Sequence, residues 1–274
     1  MPVISTNTAA NSALRYLNIN SDNQATSVSK IASGSRITKA SDDAAGLAVG
    51  TSLQSDVTVL KQAATNAAHG SSILQTADGG MSRISDIVQR MRSLATQSQS
   101  GSVTDTERGY LDAEFQQLLE EVDGIASGTR FNDDPLLDGT GDWSTGVDFR
   151  VGTETTDKIT VTIANVNATG LGITGLDIGT STTAESTLTA LDTAVESLST
   201  ARADVGALIS RFEFRGEVLD TSIENTEAAQ SAIMDVDVAE EQTSLASTKV
   251  LTQAAIAVLS QANSMPEQLL SLLR

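Results

Sequence analysis

The chain has 274 residues, a net charge of −18, no cysteine and an aromatic content of only 3 %. This charge argues against nucleic-acid partners and against docking on an anionic membrane, and the lack of cysteine excludes disulfides and thiolate metal sites. Few aromatic residues and three prolines favour long, closely packed helices over a thick globular core.

The negative charge is concentrated in the middle of the chain. Residues 1–41 hold four basic residues against Asp22, a net of +3, and residues 242–274 hold two against Glu267, a net of +1. Residues 42–241 therefore carry −22, because the whole chain carries −18. Terminal helices without a charged face are typical of segments enclosed on all sides, and other copies of the chain are the obvious cover.

The first predicted helix covers residues 5–33, with a weak apolar stripe at three- and four-residue steps that consists of Leu14, Leu17, Val28 and Ile31. A break follows over residues 33–41, and helical patterning resumes at Asp42 and Asp43. The next stripe is much stronger and indicates a long coiled-coil-like helix. Its members are Val49, Leu53, Val57, Leu60, Ala64, Ala67, Leu74, Ala77, Met81, Ile84, Val88, Met91 and Ala95.

A third helix is predicted after the turn at residues 99–102, because Thr104 and Glu107 have the spacing of a capping box. It ends near Gly124 or Gly128. Residues 129–180 are rich in Gly, Asp and Thr, and the alternating runs at 147–151 and 159–163 predict a β-hairpin.

Two more helices are predicted in the last third of the chain. Thr182 and Glu185 form a second candidate capping box, followed by a stripe from Leu188 to Ile223, and Asp237 marks the start of the final helix. The fold class expected is therefore mainly α: a long antiparallel coiled-coil-like helical bundle formed from both chain ends, with one small β-hairpin region in the middle.

Ten short motifs, in the same order and at both ends of the chain, resemble those of bacterial flagellins. They are IASGSRI (31–37), SDDAAGLA (41–48), QRMRSLA (89–95), FQQL (115–118), RFN (130–132), ARADVGA (201–207), RFE (211–213), LTQA (251–254), QANSMP (261–266) and LSLLR (270–274). The resemblance covers nearly the whole chain.

The resemblance implies a domain organisation. Residues 1–41 and 242–274 would form terminal helices that line the inner tube of a filament. Residues 42–180 and 181–241 would form a rod-like helical bundle with the β-hairpin. Almost nothing lies between the hairpin and Thr182, so the outer variable domains of large flagellins are expected to be missing.

The function implied is that of a structural subunit that self-assembles into the flagellar filament for swimming motility. The alternative is a hook–filament junction adaptor of the same superfamily. The implied partners are other flagellin copies, an export chaperone, the filament cap and the hook-junction proteins. The implied location is extracellular, reached by type III export, since the N-terminus has no pattern of a cleavable signal peptide.

Three sets of site residues are expected from the stripes and the resemblance. The inner-tube assembly interface is expected to contain Leu14, Leu17, Val28, Ile31, Leu251, Val258, Leu259, Leu269 and Leu272. The connecting segment between the first two predicted helices is expected to make inter-subunit contacts through Arg36, Lys39, Asp42 and Asp43. A solvated turn followed by a helix cap explains these four residues equally well. The candidate patch for innate-receptor recognition is Arg90, Leu94 and Glu114, and packing in the bundle is the alternative for Leu94.

No enzymatic activity, metal or cofactor is expected. His69 is the only histidine, so a zinc site of the usual histidine and cysteine ligands is unavailable, and a polar residue on a helix surface is the simpler interpretation. The acidic clusters lack EF-hand spacing. Serine and threonine residues in 140–156 and 180–187 are candidate sites for O-linked glycans.

Overall fold

The computed structural model describes residues 7–272, and it describes side chains as far as Met265. Five helices account for most of this range: α1 (Thr8–Ser33), α2 (Ala44–Gln99), α3 (Asp105–Gly128), α4 (Ser181–Met234) and α5 (Val238–Leu272). Four short strands lie between α3 and α4: β1 (Arg130–Phe131), β2 (Asp134–Pro135), β3 (Val147–Arg150) and β4 (Lys158–Val161). The predicted mainly α fold is confirmed.

The chain forms two compact units. The end unit combines Met1–Asp56 with Asn225–Arg274, and the middle unit is Val57–Glu224. The sequence places the domain boundaries at 41/42 and 241/242, whereas the units divide inside α2 and α4. Both long helices therefore supply residues to both units.

In the end unit, α1 and α5 pack against each other in antiparallel directions. The Asn7 side chain caps α1 by accepting from the Ala10 N–H at 3.0 Å, and its Nδ2 donates to the Ala262 carbonyl at 2.8 Å. At the other end of the pair, Lys30 Nζ lies 3.9 Å from a carboxylate oxygen of Glu241. The prediction that the two chain ends form a helical pair is thus confirmed.

The segment after α1 is attached to the segment before α5. Gly34 ends α1 in the left-handed conformation, with φ of 71°, and its N–H donates to the Lys30 carbonyl at 2.9 Å. Ser35 then forms a β-bridge with Asp235, and the Arg36 N–H donates to the Met234 carbonyl at 2.7 Å. These bonds hold the end of α1 next to the start of α5.

The core of the middle unit lies between α2, α3 and α4. From Val57 onward the α2 stripe is buried apart from the half-buried Ala64, and Leu74, Met81 and Met91 have no exposed surface. Val49, which continues the same stripe, belongs to the end unit and is 50 % exposed. The heptad pattern thus predicts the helix correctly, but only part of its stripe is covered by the chain itself.

The helix starts follow local hydrogen-bond chemistry. The predicted capping box of Thr104 and Glu107 is present. The predicted box at Thr182 is wrong: α4 is capped two residues earlier, where Thr180 and Thr183 each accept the other's N–H on the side-chain oxygen at 3.1 Å. A threonine hydroxyl at the third helical position replaces the expected glutamate, which the box pattern does not anticipate.

The predicted hairpin is confirmed as the antiparallel pair β3–β4, with Val147 opposite Val161. A second, two-residue hairpin, β1–β2, turns through Asn132 and Asp133, whose φ values are 50° and 68°. The segment between β4 and α4, residues 162–180, is not an open loop, because Val166, Ile173 and Ile178 are buried in the core of the middle unit.

Candidate assembly surface

The end unit exposes the apolar side chains that the sequence assigns to an assembly interface. Leu14 is 46 % exposed and Val28 49 %, while Leu251 is 49 % and Val258 57 % exposed. Leu17, Ile31 and Leu259 are half-buried. Leu269 and Leu272 lie in α5, but their side chains are outside the described residues.

Further exposed apolar residues on the same two helices were missed by the stripe analysis. They are Tyr16, Ile19 and Val250, while Ile256 and Met265, which belong to the apolar pattern of the last predicted helix, are exposed as well. At about 100° per residue, Ile19 lies about 140° around α1 from Leu14, and Tyr16 about 160° from it on the other side. The usable signal in the sequence is therefore the lack of charge around the whole helix and not a single stripe.

The pairing of α1 with α5 covers only one side of each helix. Ala13 and Ser27 are the buried residues of α1, and both are small. An apolar groove of about 330 Å³ remains open beside the contact, bounded by Ala13 and Tyr16 on α1 and by Leu251 and Val258 on α5. Two helices in this arrangement leave a large apolar surface in contact with water, which is unfavourable unless another chain covers it.

The connecting segment has well-defined bonds within the chain. The carboxylate of Asp42 accepts from the N–H and hydroxyl of Thr38 and from the N–H of Lys39, at 3.0 to 3.1 Å. The bond from the Lys39 N–H and those from Thr38 lower the pKa of Asp42. Asp43 caps α2 by accepting from the Gly46 N–H at 2.8 Å.

These bonds give Asp42 and Asp43 the turn and cap roles that the sequence left open. Arg36 and Lys39 are exposed. Their side chains are therefore accessible to another molecule, whereas the two aspartates already serve the local fold.

The candidate receptor patch contains one surface pair and one core residue. On α2, Arg90 donates to Glu114 of α3, with Nη2 at 2.7 Å and Nε at 3.0 Å from the same carboxylate oxygen. Leu94 is only 1 % exposed and belongs to the core of the middle unit. The alternative of bundle packing therefore describes Leu94, and the surface of this patch consists of Arg90 and Glu114.

The described residues were also compared with what an enzyme, a metal-binding protein or a membrane protein requires. His69 is exposed on α2. Among residues 7–265, no three histidine or acidic side chains come together as a metal site requires. None of the helices in the described part of the chain is long and apolar enough to cross a bilayer.

Comparison with known proteins places this geometry in a family. The model of the bacterial flagellin N-terminal helical region matches residues 4–142, and the model of the C-terminal helical region matches residues 188–273. A flagellin of Halalkalibacterium halodurans is 37 % identical over 99 % of this chain and all of its own length. A flagellar filament 30.7 kDa core protein of Treponema maltophilum is 34 % identical over 99 % of both chains.

A solved structure agrees with these matches. The crystal structure of Bacillus cereus flagellin is similar with a TM-score of 0.51 and 31 % identity, over 56 % of this chain and 88 % of that chain. The two family models together cover most of the chain and include both terminal helices. The chain therefore belongs to the bacterial flagellin family.

Proposed function

We propose that this protein is the structural subunit of a bacterial flagellar filament, and that α1 and α5 are its principal assembly surface. The observation that carries the proposal is the exposed apolar surface around both terminal helices, including Leu14, Val28 and Val258. A monomer gains nothing from these side chains in water. In a helical polymer of identical copies they become the contacts between subunits.

The distribution of charge supports the same arrangement. The chain ends carry almost no acid, whereas residues 42–241 carry −22. Burying the ends avoids the cost of desolvating charged groups, and leaving the middle in solvent keeps its carboxylates hydrated. The acidic middle is then the outer surface of the filament, because no further domain is inserted between β4 and α4.

The location follows from membership of the family, whose members form the extracellular flagellar filament. An export chaperone, a filament cap and hook-junction proteins are expected partners by resemblance. The family is a structural one, and no activity is proposed for this chain. Filament-surface threonines and serines in 140–156 and 180–187 remain candidates for O-linked glycans.

Arg36 and Lys39 are proposed to contact acidic groups of a neighbouring subunit. Both side chains are exposed, and their backbone is held in place, because the Lys39 N–H donates to Asp42 and the Arg36 N–H to the Met234 carbonyl. Arg90 and Glu114 are proposed as the surface part of the receptor patch.

Purified protein, concentrated in salt and viewed by negative stain, tests the main proposal. We expect long filaments about as wide as a flagellum and without projections. Leu14→Asp combined with Val258→Asp should abolish them, since a buried carboxylate without a partner costs several kcal/mol. The matched control is Thr51→Asp with Thr65→Asp, which places the same charge on exposed positions of α2. A wild-type chain that stays monomeric at all salt concentrations overturns the proposal.

A further inference from the structure

A groove on the middle unit combines basic and apolar side chains. It lies between α4 and the β3–β4 hairpin and has a volume of about 410 Å³. The residues that matter are Lys158 on β4 and Arg211, Phe214, Arg215 and Val218 on α4. Aromatic residues and arginine are the residue types enriched at the energetic centres of protein interfaces.

The apolar part of this groove has no cover within the chain. Phe214 is 68 % exposed and Val218, one turn further along α4, is 54 % exposed. Few large apolar residues of the middle unit are as exposed as these two, and they are neighbours. A phenylalanine in this position is unfavourable in water unless a partner covers it.

One cation of the groove, Arg211, is available to a partner, because Lys158 Nζ donates to Asp148 at 2.6 Å and Arg215 is held by its own hairpin. Nε of Arg215 donates to the Val151 carbonyl at 2.8 Å, and its Nη2 lies 3.4 Å from Asp157. Both partners belong to the connection between β3 and β4, so the Arg215 guanidinium is held against the hairpin. Arg211 is exposed and pairs with no carboxylate among the described side chains. With Lys158 paired to Asp148 and Arg215 to Asp157, Arg211 leaves one uncompensated positive charge at the groove, in a unit that holds 11 basic and 25 acidic residues, a net charge of −14.

The complementary surface is the tip of the β1–β2 hairpin. Phe131 is 39 % exposed there, and the exposed Asp133 and Asp134 form no ion pair within the described residues. Asn132 and Asp133 both have positive φ, the left-handed conformation that asparagine and aspartate adopt more readily than other non-glycine residues, and they close the hairpin in a tight two-residue turn. The tip therefore presents one aromatic ring beside two unpaired carboxylates.

The tip cannot occupy the groove of its own copy. Gly80 of α2 faces the Thr129 side chain at the base of the tip, whereas Asn66 of α2 donates to the Arg150 carbonyl beside the groove. These two positions on α2 are about 21 Å apart at 1.5 Å per residue. The two surfaces therefore meet only between different molecules.

We propose that the Arg211–Val218 groove receives the β1–β2 tip of a second copy of this chain. Phe131 would pack against Phe214 and Val218, while Asp134, with Asp133 beside it, would pair with Arg211. Because the two surfaces are different patches of one molecule, the contact is heterologous, the type of contact from which an open helical filament is built when its rotation does not close into a ring. The proposal rests on the proposed function and assigns it a second contact outside the terminal helices.

Charge reversal tests the pairing. Arg211→Glu and Asp134→Lys should each raise the critical concentration for polymerisation by about tenfold or more, as loss of an interface hot spot does. The double variant should recover much of the wild-type value, because the reversed charges pair again. Arg83→Glu, an exposed arginine on α2, is the control of equal charge change and should have a much smaller effect. Circular dichroism melts show whether each variant remains folded.

Cross-linking supplies an independent measurement, since the chain contains no cysteine. A Val218→Cys, Asp134→Cys double variant, assembled and then oxidised, should give a ladder of covalent oligomers, and each single variant should give none. Suppose that the wild-type chain forms filaments. If Arg211→Glu then changes the critical concentration no more than Arg83→Glu does, or if the double-cysteine filament gives no ladder, this contact is overturned and the proposed function is left intact. A wild-type chain that forms no filaments overturns both.

Discussion

Gly70 of α2 lies directly beneath the ring of Phe212 on α4. A methyl group at Gly70 would come within 2.7 Å of the ring, which is buried and packs edge-on against Phe149 with a centroid distance of 5.5 Å. Since the ring also packs against Phe149 of β3, displacing it would disturb the contact with the hairpin. The glycine is therefore required by the close approach of two helices and not by backbone conformation.

Gly70→Ala should lower the free energy of unfolding. Overpacking costs about 1–3 kcal/mol, whereas alanine in place of glycine inside a helix gains about 1 kcal/mol, so we expect a net loss of up to about 2 kcal/mol. Urea unfolding followed by circular dichroism measures it. Gly79→Ala is the matched control, because nothing surrounds that position and the propensity gain should appear alone. Equal stabilisation by both substitutions would contradict the packing argument.

The capping box at the start of α3 gives a second prediction. Thr104→Ala should lower the free energy of unfolding by about 1 kcal/mol, the usual cost of an N-cap hydroxyl. Thr106→Ala, at the exposed second position of the same helix, should cost much less. A loss of the same size in both variants would point to a general effect of threonine removal.

The same box sets a pH dependence. The N–H and hydroxyl of Thr104, each 2.8 Å from the Glu107 carboxylate, lower the pKa of Glu107. A lowered pKa in the folded state means that this contribution to stability is present above the unfolded pKa and is lost as the pH falls through the folded value. Carbon-detected NMR titration should give a higher Glu107 pKa in Thr104→Ala than in the wild type. An unchanged pKa would mean that the hydroxyl contributes nothing to it.

Assembly should depend on salt. The acidic surface of residues 42–241 repels its copies, and salt screens exposed charges over about 10 Å at 0.1 M. The critical concentration for polymerisation should therefore fall as sodium chloride rises. Light scattering across a salt series measures it, with Arg83→Glu expected to need more salt than the wild type. A series without any salt effect would contradict the assignment of the acidic middle to the filament surface.

The sequence predicts most of the helices because their apolar residues repeat at fixed steps and their starts carry recognisable caps. It does not predict the packed segment before α4, where Ile178 is held by long-range bonds: its N–H donates to Asp112 at 2.9 Å and its carbonyl accepts from Ser98 at 2.5 Å. Such contacts join residues 66 and 80 positions apart and leave no periodic trace. The cap at Thr180 was missed for a local reason, since a threonine pair substitutes for the usual box.

The site was predictable to a different extent. Leu14 and Val258 follow from the stripes, whereas Tyr16 and Val250 lie off them and are evident only once exposure is measured. Leu94 illustrates the converse, because helical spacing alone does not distinguish a buried position from a surface one near the edge of a stripe. The groove at Phe214 depends on the approach of a hairpin to α4, and periodicity carries no information about that approach.

Amide hydrogen exchange should separate the two units of the chain. In the monomer, α1 and α5 share one narrow contact made of small residues, and ordering each backbone residue costs about 1–2 kcal/mol, so their amides should exchange quickly. In the filament, burial of Leu14, Val28 and Val258 at roughly 25 cal/mol per Å² should protect them. Amides of α2 around Leu74 and Met81, whose side chains are fully buried, should be protected in both states and serve as the internal reference. Terminal helices protected equally in monomer and filament would show that assembly is not what stabilises them, and the apolar surface of the end unit would then need another explanation.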